Sequence, residues 1–165
     1  MTPEQDPLDP TVPITPAVQA FWEAACAARG IDPATPFQAW YFSNNRESAA
    51  LLLDLVRRGQ KRATASLVLA CERSPAGAPL LGGYSVVTTF DGEPGCVIRT
   101  TELRAVPFRD VDAAFAWDEG EGDRTLADWR DGHWRFFTGE CAELGVPMSE
   151  DLLVNCERFE LVWPA

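Results

Sequence analysis

Helical and extended segments follow one another along this chain without the strand–helix–strand rhythm that a parallel sheet requires. Three segments show helical periodicity, and a glycine follows each of them. They are residues 16–29, 46–58 and 125–144. Three further runs have the composition of strands, and a turn sequence at 91–94 joins the first two into a hairpin. They are residues 84–90, 95–103 and 152–163. This mixture predicts an α+β fold.

The length of 165 residues predicts one domain over residues 17–165. Residues 1–16 contain five prolines and several acidic side chains, which predicts an extended, poorly ordered tail. The acidic N-terminus argues against a secretory signal, and no apolar run reaches the roughly 18 residues that would cross a bilayer. The five cysteines include no CxxC pair, so we expect reduced thiols and a cytoplasmic protein without a membrane partner.

The charge balance excludes several chemistries. The formal net charge is −11, which disfavours long-range attraction to nucleic acid, so no DNA partner is expected and any RNA contact must be local. A single histidine, His133, excludes a histidine-rich zinc site, and the chain contains neither a Walker motif nor GxGxxG. We therefore predict no metal and no cofactor, while the acidic residues at 118–123 leave magnesium as an alternative.

The basic side chains are thirteen arginines and one lysine, Lys61. Lysine can lose its proton when it is desolvated, whereas arginine in effect cannot. Lys61 and Thr64 lie three residues apart and can face one point only where the chain bends, which Gly59 permits. The alternative is a solvent-exposed basic edge after a helix end.

Two neighbouring segments also carry polar groups. The acidic run 118–123 reads either as a solvated loop or as a loop that turns Glu119 or Glu121 inward as a general acid or base. Trp129 begins an apolar helix face that includes His133, so we favour a core histidine over a catalytic one. Aromatic and arginine side chains in this helix are also suited to stacking on nucleobases.

Five segments, in order, resemble the ASCH domain family, and in particular its compact stand-alone bacterial branch. They are AWYF at 39–42, GQKRATASL at 59–67, VIRTTEL at 97–103, EGEGDRTLADWRDGHWRFF at 119–137 and CERFEL at 156–161. The second contains the family's G-x-K-x-x-T signature, and the resemblance covers about residues 18–163. It implies a PUA-like, mostly antiparallel β-barrel flanked by helices, with a cleft beside the signature loop.

The resemblance also implies a partner, RNA or an RNA-derived nucleoside. Two activities are known in the family: cleavage of single-stranded RNA and hydrolysis of the acetyl group of N4-acetylcytidine. The segment at 119–137 looks nearer to the ribonuclease relatives, so the sequence places that activity first. A binding module that transforms neither ligand is the third hypothesis.

For the amide hydrolysis, the relatives use a lysine, a threonine and a glutamate. Lys61 and Thr64 match by motif, and Glu121 is favoured for the third position, with Glu119 and Asp123 as alternatives. In that scheme Lys61 has a depressed pKa and acts as the base, whereas a ribonuclease requires it charged. The residues predicted to contact substrate are Tyr41, Arg62, Glu119, Thr125, Trp129 and Arg130.

Overall fold

The computed structural model describes residues 6–164 and contains five helices and five strands in this part of the chain. The helices are α1 (Pro16–Arg29), α2 (Arg46–Arg57), α3 (Val68–Arg73), α4 (Ala113–Glu119) and α5 (Leu126–Leu144). The strands are β1 (Phe37–Trp40), β2 (Ala63–Leu67), β3 (Tyr84–Thr88), β4 (Pro94–Pro107) and β5 (Leu153–Trp163). Across the same residues, every helix is too short or too polar to cross a bilayer.

The strands form one five-stranded sheet in the order β1-β3-β4-β5-β2. The β1–β3 pair is parallel, and the other three pairs are antiparallel. The predicted α+β class and the mostly antiparallel character are therefore confirmed. The sheet is open, because β1 and β2 form its two edges, so the five described strands do not close the predicted barrel.

The helix ends follow the signals in the sequence. The side chains of Thr15 and Thr125 cap α1 and α5 by accepting backbone N–H bonds, from Val18 and Asp128 respectively. Gly30 and Gly145 end the same helices in the left-handed conformation, with φ of 68° and 71°. These capping residues, predicted from the sequence, fix where both long helices begin and end.

Three apolar clusters cover the sheet. The largest lies between α4, α5 and the β2–β5 edge and includes Phe115, Trp129 and Phe137. The second packs α2 against the centre of the sheet through Leu53 and Val56. The third packs α1 against the β1 side. α4 and α5 therefore cover the β2–β5 edge, and the polar groups described below lie there.

The predicted proline-rich tail is partly built into the fold. Residues 1–5 lie outside the described residues. Residues 6–15 run without a helix, and Thr11 forms an antiparallel bridge to β1. Leu8 is buried and belongs to the largest apolar cluster. The described part of this segment is therefore packed against the domain rather than poorly ordered, because it adds an extended chain to an open sheet edge.

Candidate active site

The chain bends sharply between α2 and β2. Gly59 has a φ of 77°, so the bend that the sequence requires for Lys61 is present. The Lys61 N–H donates to the Leu55 carbonyl over 3.1 Å, and the Arg62 N–H donates to the Asp118 carbonyl over 2.7 Å. The bend is thereby tied both to α2 and to the end of α4, and the Lys61 side chain is only 1% exposed.

The end of α4 reaches the same bend through a glycine. Gly120 is left-handed, with a φ of 69°, and its carbonyl accepts a 2.7 Å bond from the Gln60 side chain. A Cβ at Gly120 would overlap the Gln60 carbonyl oxygen, so only glycine permits this approach. Asp118 and Glu119, predicted as part of a loop, are instead the last residues of α4. The left-handed cap turns the chain so that Glu119 is buried.

An ion-paired cluster forms where the two segments meet. The Lys61 Nζ lies 3.1 Å from Oε1 of Glu119 and 3.7 Å from Oε1 of Glu121. Lys61 and Glu119 are each 1% exposed, whereas Glu121 is 27% exposed. The ammonium also lies 5.3 Å from the ring centroid of Phe42. Glu119 is thus the inner carboxylate of the cluster, and Glu121 is the one that reaches solvent.

α5 completes the cluster with two side chains one helical turn apart. The Nε2 of His133 lies 3.0 Å from Oε2 of Glu119 and 3.8 Å from Oε2 of Glu121. The indole N–H of Trp129 donates to Oε2 of Glu119. The two rings stack at 4.1 Å, and Nδ1 of His133 bonds to the Trp129 carbonyl. Every oxygen of Glu119 therefore has a partner.

The charges in the cluster shift the pKa of each member. Burial alone would raise the pKa of Glu119, but His133 and Lys61 lower it to about 2. Burial raises the pKa of Glu121, with Lys61 opposing and Glu119 reinforcing the shift. Burial would lower the pKa of His133, and Glu119 reverses this into a net increase. Glu119 is therefore ionised above about pH 2, whereas the pKa of Glu121 and the pKa of His133 both lie above their ordinary values.

Lys61 does not have the depressed pKa that the amide-hydrolysis scheme requires. Burial would lower the pKa of its ammonium, but the carboxylates of Glu121 and Glu119 raise it overall. The predicted decrease in the Lys61 pKa is therefore wrong, because the shift is an increase. An ammonium between two carboxylates gains more from ion pairing than it loses in hydration.

A cleft of about 330 Å³ opens beside the cluster. Glu121, His133, Trp129 and Thr64 contribute to its walls. Thr64 is in β2, where its backbone pairs with Glu157 of β5. With Glu119, which also lines it, the cleft brings together four of the predicted residues and the histidine.

A larger cleft of about 480 Å³ adjoins the first, and the two share Phe42, Thr64 and Phe136. Among the described residues, no arginine or lysine lines either cleft, whereas carboxyl groups line both. In the larger cleft these include Glu140 and Glu157, and burial raises the pKa of each to about 7. Both clefts therefore favour neutral or cationic ligands over phosphates.

The structure separates the predicted substrate-contacting residues into two groups. Tyr41 is buried in the wall of the larger cleft, 5.0 Å from the ring of Phe90, and Glu119 and Trp129 line the smaller cleft. Three others lie outside both clefts among the described residues. Arg62 pairs with Asp118 on the surface, Arg130 donates to a backbone carbonyl, and Thr125 caps α5.

His133 is the residue that the sequence interpretation missed. It does pack against core rings, as predicted for a core histidine, but its Nε2 faces the two glutamates and its side chain is 16% exposed. The signal for this placement is its position four residues after Trp129, which puts both side chains on one helix face.

Glu119, Glu121 and His133 also resemble a metal-ligand set. One donor atom from each lies within 4.8 Å of the others. The Lys61 ammonium, however, already neutralises the same carboxylates from 3.1 Å and 3.7 Å. The cluster is thus charge-compensated by the protein's own residues, and we assign no metal to it.

Residues 38–163 match the family model of the ASCH domain. The chain belongs to the ASCH domain family. Its fold is similar to the crystal structure of an ASCH domain from Lactobacillus crispatus JV V101, with 37% identity and a TM-score of 0.80 over 87% of this chain and 92% of that one. It is also similar to protein EF3133 from Enterococcus faecalis V583, with 30% identity and a TM-score of 0.78 over 89% and 90% of the two chains. No curated protein matches the chain. ASCH domains are PUA-like and generally bind RNA, so RNA is the general class of partner for the family.

Proposed function

We propose that this ASCH protein hydrolyses the amide of an N-acylated, RNA-derived nucleoside of the N4-acetylcytidine type. The observation that carries this proposal is the cleft beside the Lys61–Glu119–Glu121–His133 cluster, which combines a hydroxyl, a solvent-reaching carboxylate and a buried ion pair. The sequence placed ribonuclease first, and we place amide hydrolysis first because carboxyl groups line both clefts.

The charges on the cleft walls define the substrate class. Glu119, Glu121 and Asp128 line the smaller cleft, and His133 is the basic residue beside them, because no arginine or lysine among the described residues lines it. RNA affinity comes largely from neutralising phosphates, which these carboxylates repel. A nucleobase with a neutral amide carries no charge and offers N–H donors. Its flat ring also matches the aromatic wall that Trp129 provides.

The chemistry assigns the proton transfers to Glu121. Its carboxylate takes the hydroxyl proton of Thr64 as the hydroxyl oxygen attacks the acyl carbonyl carbon. The same proton then passes to the amine nitrogen as the C–N bond breaks and the nucleoside leaves. Water next attacks the acyl ester on Thr64, Glu121 accepts the water proton, and that proton returns to the Thr64 oxygen as the carboxylic acid departs.

Lys61 acts behind Glu121 rather than on the substrate. Its ammonium is 1% exposed and pairs with both glutamates, so it fixes their positions and balances their charge. Glu119 in turn holds the His133 ring, which is stacked on Trp129. The buried ion pair thereby orients the groups that line the cleft.

Ribonuclease action is the second candidate, because the Lys61 ammonium stays charged. A cation beside a glutamate and a histidine suits stabilisation of negative charge on a phosphate, with Glu121 and His133 moving the protons. The burial of Lys61 and the acidic lining count against this candidate, since the cation is separated from any strand in the cleft by carboxylates.

The experiment measures acetate release from N4-acetylcytidine by proton NMR, in the presence of a chelator. Thr64→Val and Glu121→Gln remove the nucleophile and the proton carrier while conserving size. Asp123→Asn is the matched control, because Asp123, an alternative for the site carboxylate in the sequence, is exposed, lines neither cleft and accepts from Thr125.

Activity in the wild type and the control, with at least a roughly hundredfold loss in the two site variants, supports the proposal. Equal activity in Glu121→Gln and wild type contradicts the assigned role. Nucleoside binding without acetate release in any variant favours the binding module.

A further inference from the structure

Glu140, which lines the larger cleft, has a buried carboxyl oxygen without a hydrogen-bond partner. Among the described residues, Oε2 of Glu140 is the buried side-chain oxygen or nitrogen without a hydrogen bond. Glu140 lies on α5, and its side chain lines the larger cleft. Buried polar groups in folded proteins are nearly always paired, and an unpaired carboxyl costs stability. A ligand with a donor group in this cleft would satisfy Glu140.

The walls of this cleft combine aromatic rings with carboxyl groups. Trp40, Phe42 and Phe90 are among the rings, and Glu157, which is 5% exposed, lies with Glu140 among the acids. An aromatic face attracts a cation, and a desolvated carboxylate forms its strongest hydrogen bonds with charged donors. No lysine or arginine is present in the described lining, so Glu140 has no cationic partner in the cleft, whereas Glu157 interacts with the Lys61 ammonium outside the lining.

The N-terminal segment closes one side of the cleft. Asp6 and Leu8 contribute to the wall, and residues 6–12 lie outside the part of the chain that the family model matches. The Val12 N–H donates to the Ala39 carbonyl, and the Tyr41 N–H donates to the Pro10 carbonyl, so backbone bonds hold this wall to β1. The cleft therefore has a wall that the N-terminal segment supplies, and aromatic rings are part of its lining.

We propose that the larger cleft is a second binding site, and that its ligand is an aromatic group bearing a protonated amine, bound through Glu140. The site is separate from the Lys61 cluster but adjoins the smaller cleft at Thr64. The amine of a bound ligand would donate to the Glu140 carboxylate, and the ring of the ligand would lie against the aromatic wall. This assignment does not depend on the hydrolysis proposed above.

Three small probes of similar shape test the charge preference: benzylamine, benzyl alcohol and benzoate. Each is titrated into the whole protein at about pH 8, above the pKa of about 7 of Glu140, and binding is followed by amide NMR shifts. We expect benzylamine to bind with shifts centred on Trp40 and Phe90, benzyl alcohol to bind more weakly, and benzoate not to bind.

Glu140→Gln keeps the shape of the side chain but removes its charge, and we expect benzylamine affinity to fall at least roughly tenfold. Glu143→Gln is the matched control, because Glu143 is an exposed glutamate three residues further along α5. Glu121→Gln changes a residue that lines only the smaller cleft, so it distinguishes binding in the two clefts and should leave benzylamine binding unchanged. Thermal melting of each variant verifies that it is folded.

Benzoate binding as tightly as benzylamine would overturn the proposal. Unchanged benzylamine affinity in Glu140→Gln, or shifts centred on Trp129 and His133, would overturn it as well. Because the readout is binding, these results are independent of acetate release, and failure of the proposed hydrolysis leaves this test intact.

Discussion

Replacing Lys61 with methionine removes the buried ammonium and conserves most of the side-chain volume. At the observed 3.1 Å separation from Glu119, the attraction is about 5 kcal/mol for an effective dielectric constant of about 20. Hydration of the two ions in the unfolded chain offsets part of this. Breaking one side of a buried pair nevertheless costs about 3–5 kcal/mol, because the other charge stays buried without its partner. We expect a loss of this size at pH 7, or roughly 6–12 °C in Tm for 3 kcal/mol.

The pH dependence of this stability loss identifies Glu119 as the carboxylate that is left without its partner. The pKa of Glu119 is lowered to about 2 in the folded protein, below its unfolded value of about 4.3, so its ion pairing contributes stability above the unfolded pKa. That contribution is lost as pH falls towards 2. The difference between wild type and Lys61→Met should therefore be largest at neutral pH and shrink below about pH 4.

Urea unfolding at pH 7 and at about pH 3, followed by tryptophan fluorescence, measures both effects. The double variant Lys61→Met/Glu119→Gln is the control, because it removes the stranded charge and should recover a large part of the lost stability. A loss below about 1 kcal/mol at pH 7, or an equal loss at both pH values, would refute the account of the ion pair.

Three further predictions concern the pH profile, the backbone and the surface. The kcat/KM for acetate release should fall as pH decreases through the raised pKa of Glu121. Glu119→Gln should move this decrease to lower pH in a kcat/KM profile, because the charge of Glu119 raises the pKa of Glu121. Gly120→Ala should cost more free energy of unfolding than Gly30→Ala by at least about 2 kcal/mol, since both glycines are left-handed but only Gly120 meets backbone. Equal losses in urea titrations would contradict this reasoning. Arg62→Ala should change kcat/KM by less than about twofold, because Arg62 lies outside both clefts.

Local signals made most of the fold predictable. The caps at Thr15 and Thr125 and the glycines that end α1 and α5 act within a few residues, so the sequence determines them directly. The parallel pairing of β1 with β3 and the open sheet edges depend on long-range contacts, which no local pattern reveals. The same is true of residues 6–15, because prolines predict extended chain but not what that chain packs against.

The candidate site shows the same division. The motif at 59–64 and the acidic run were sufficient to single out Lys61, Glu119 and Glu121. The direction of the Lys61 pKa shift could not be predicted, because it depends on how closely two carboxylates from another helix end approach the ammonium. The place of His133 was missed for a related reason: its helix face is apolar, but its ring nitrogen reaches the buried Glu119 across that face.

The most direct test gives wild-type protein two substrates side by side, N4-acetylcytidine and a labelled single-stranded RNA, in chelator, with Glu121→Gln in parallel. The account predicts that wild type releases acetate from the nucleoside and leaves the RNA intact, and that the variant releases no acetate and also leaves the RNA intact. Cleavage of RNA that disappears in Glu121→Gln, with the nucleoside untouched, would contradict the proposed hydrolysis and establish the ribonuclease alternative.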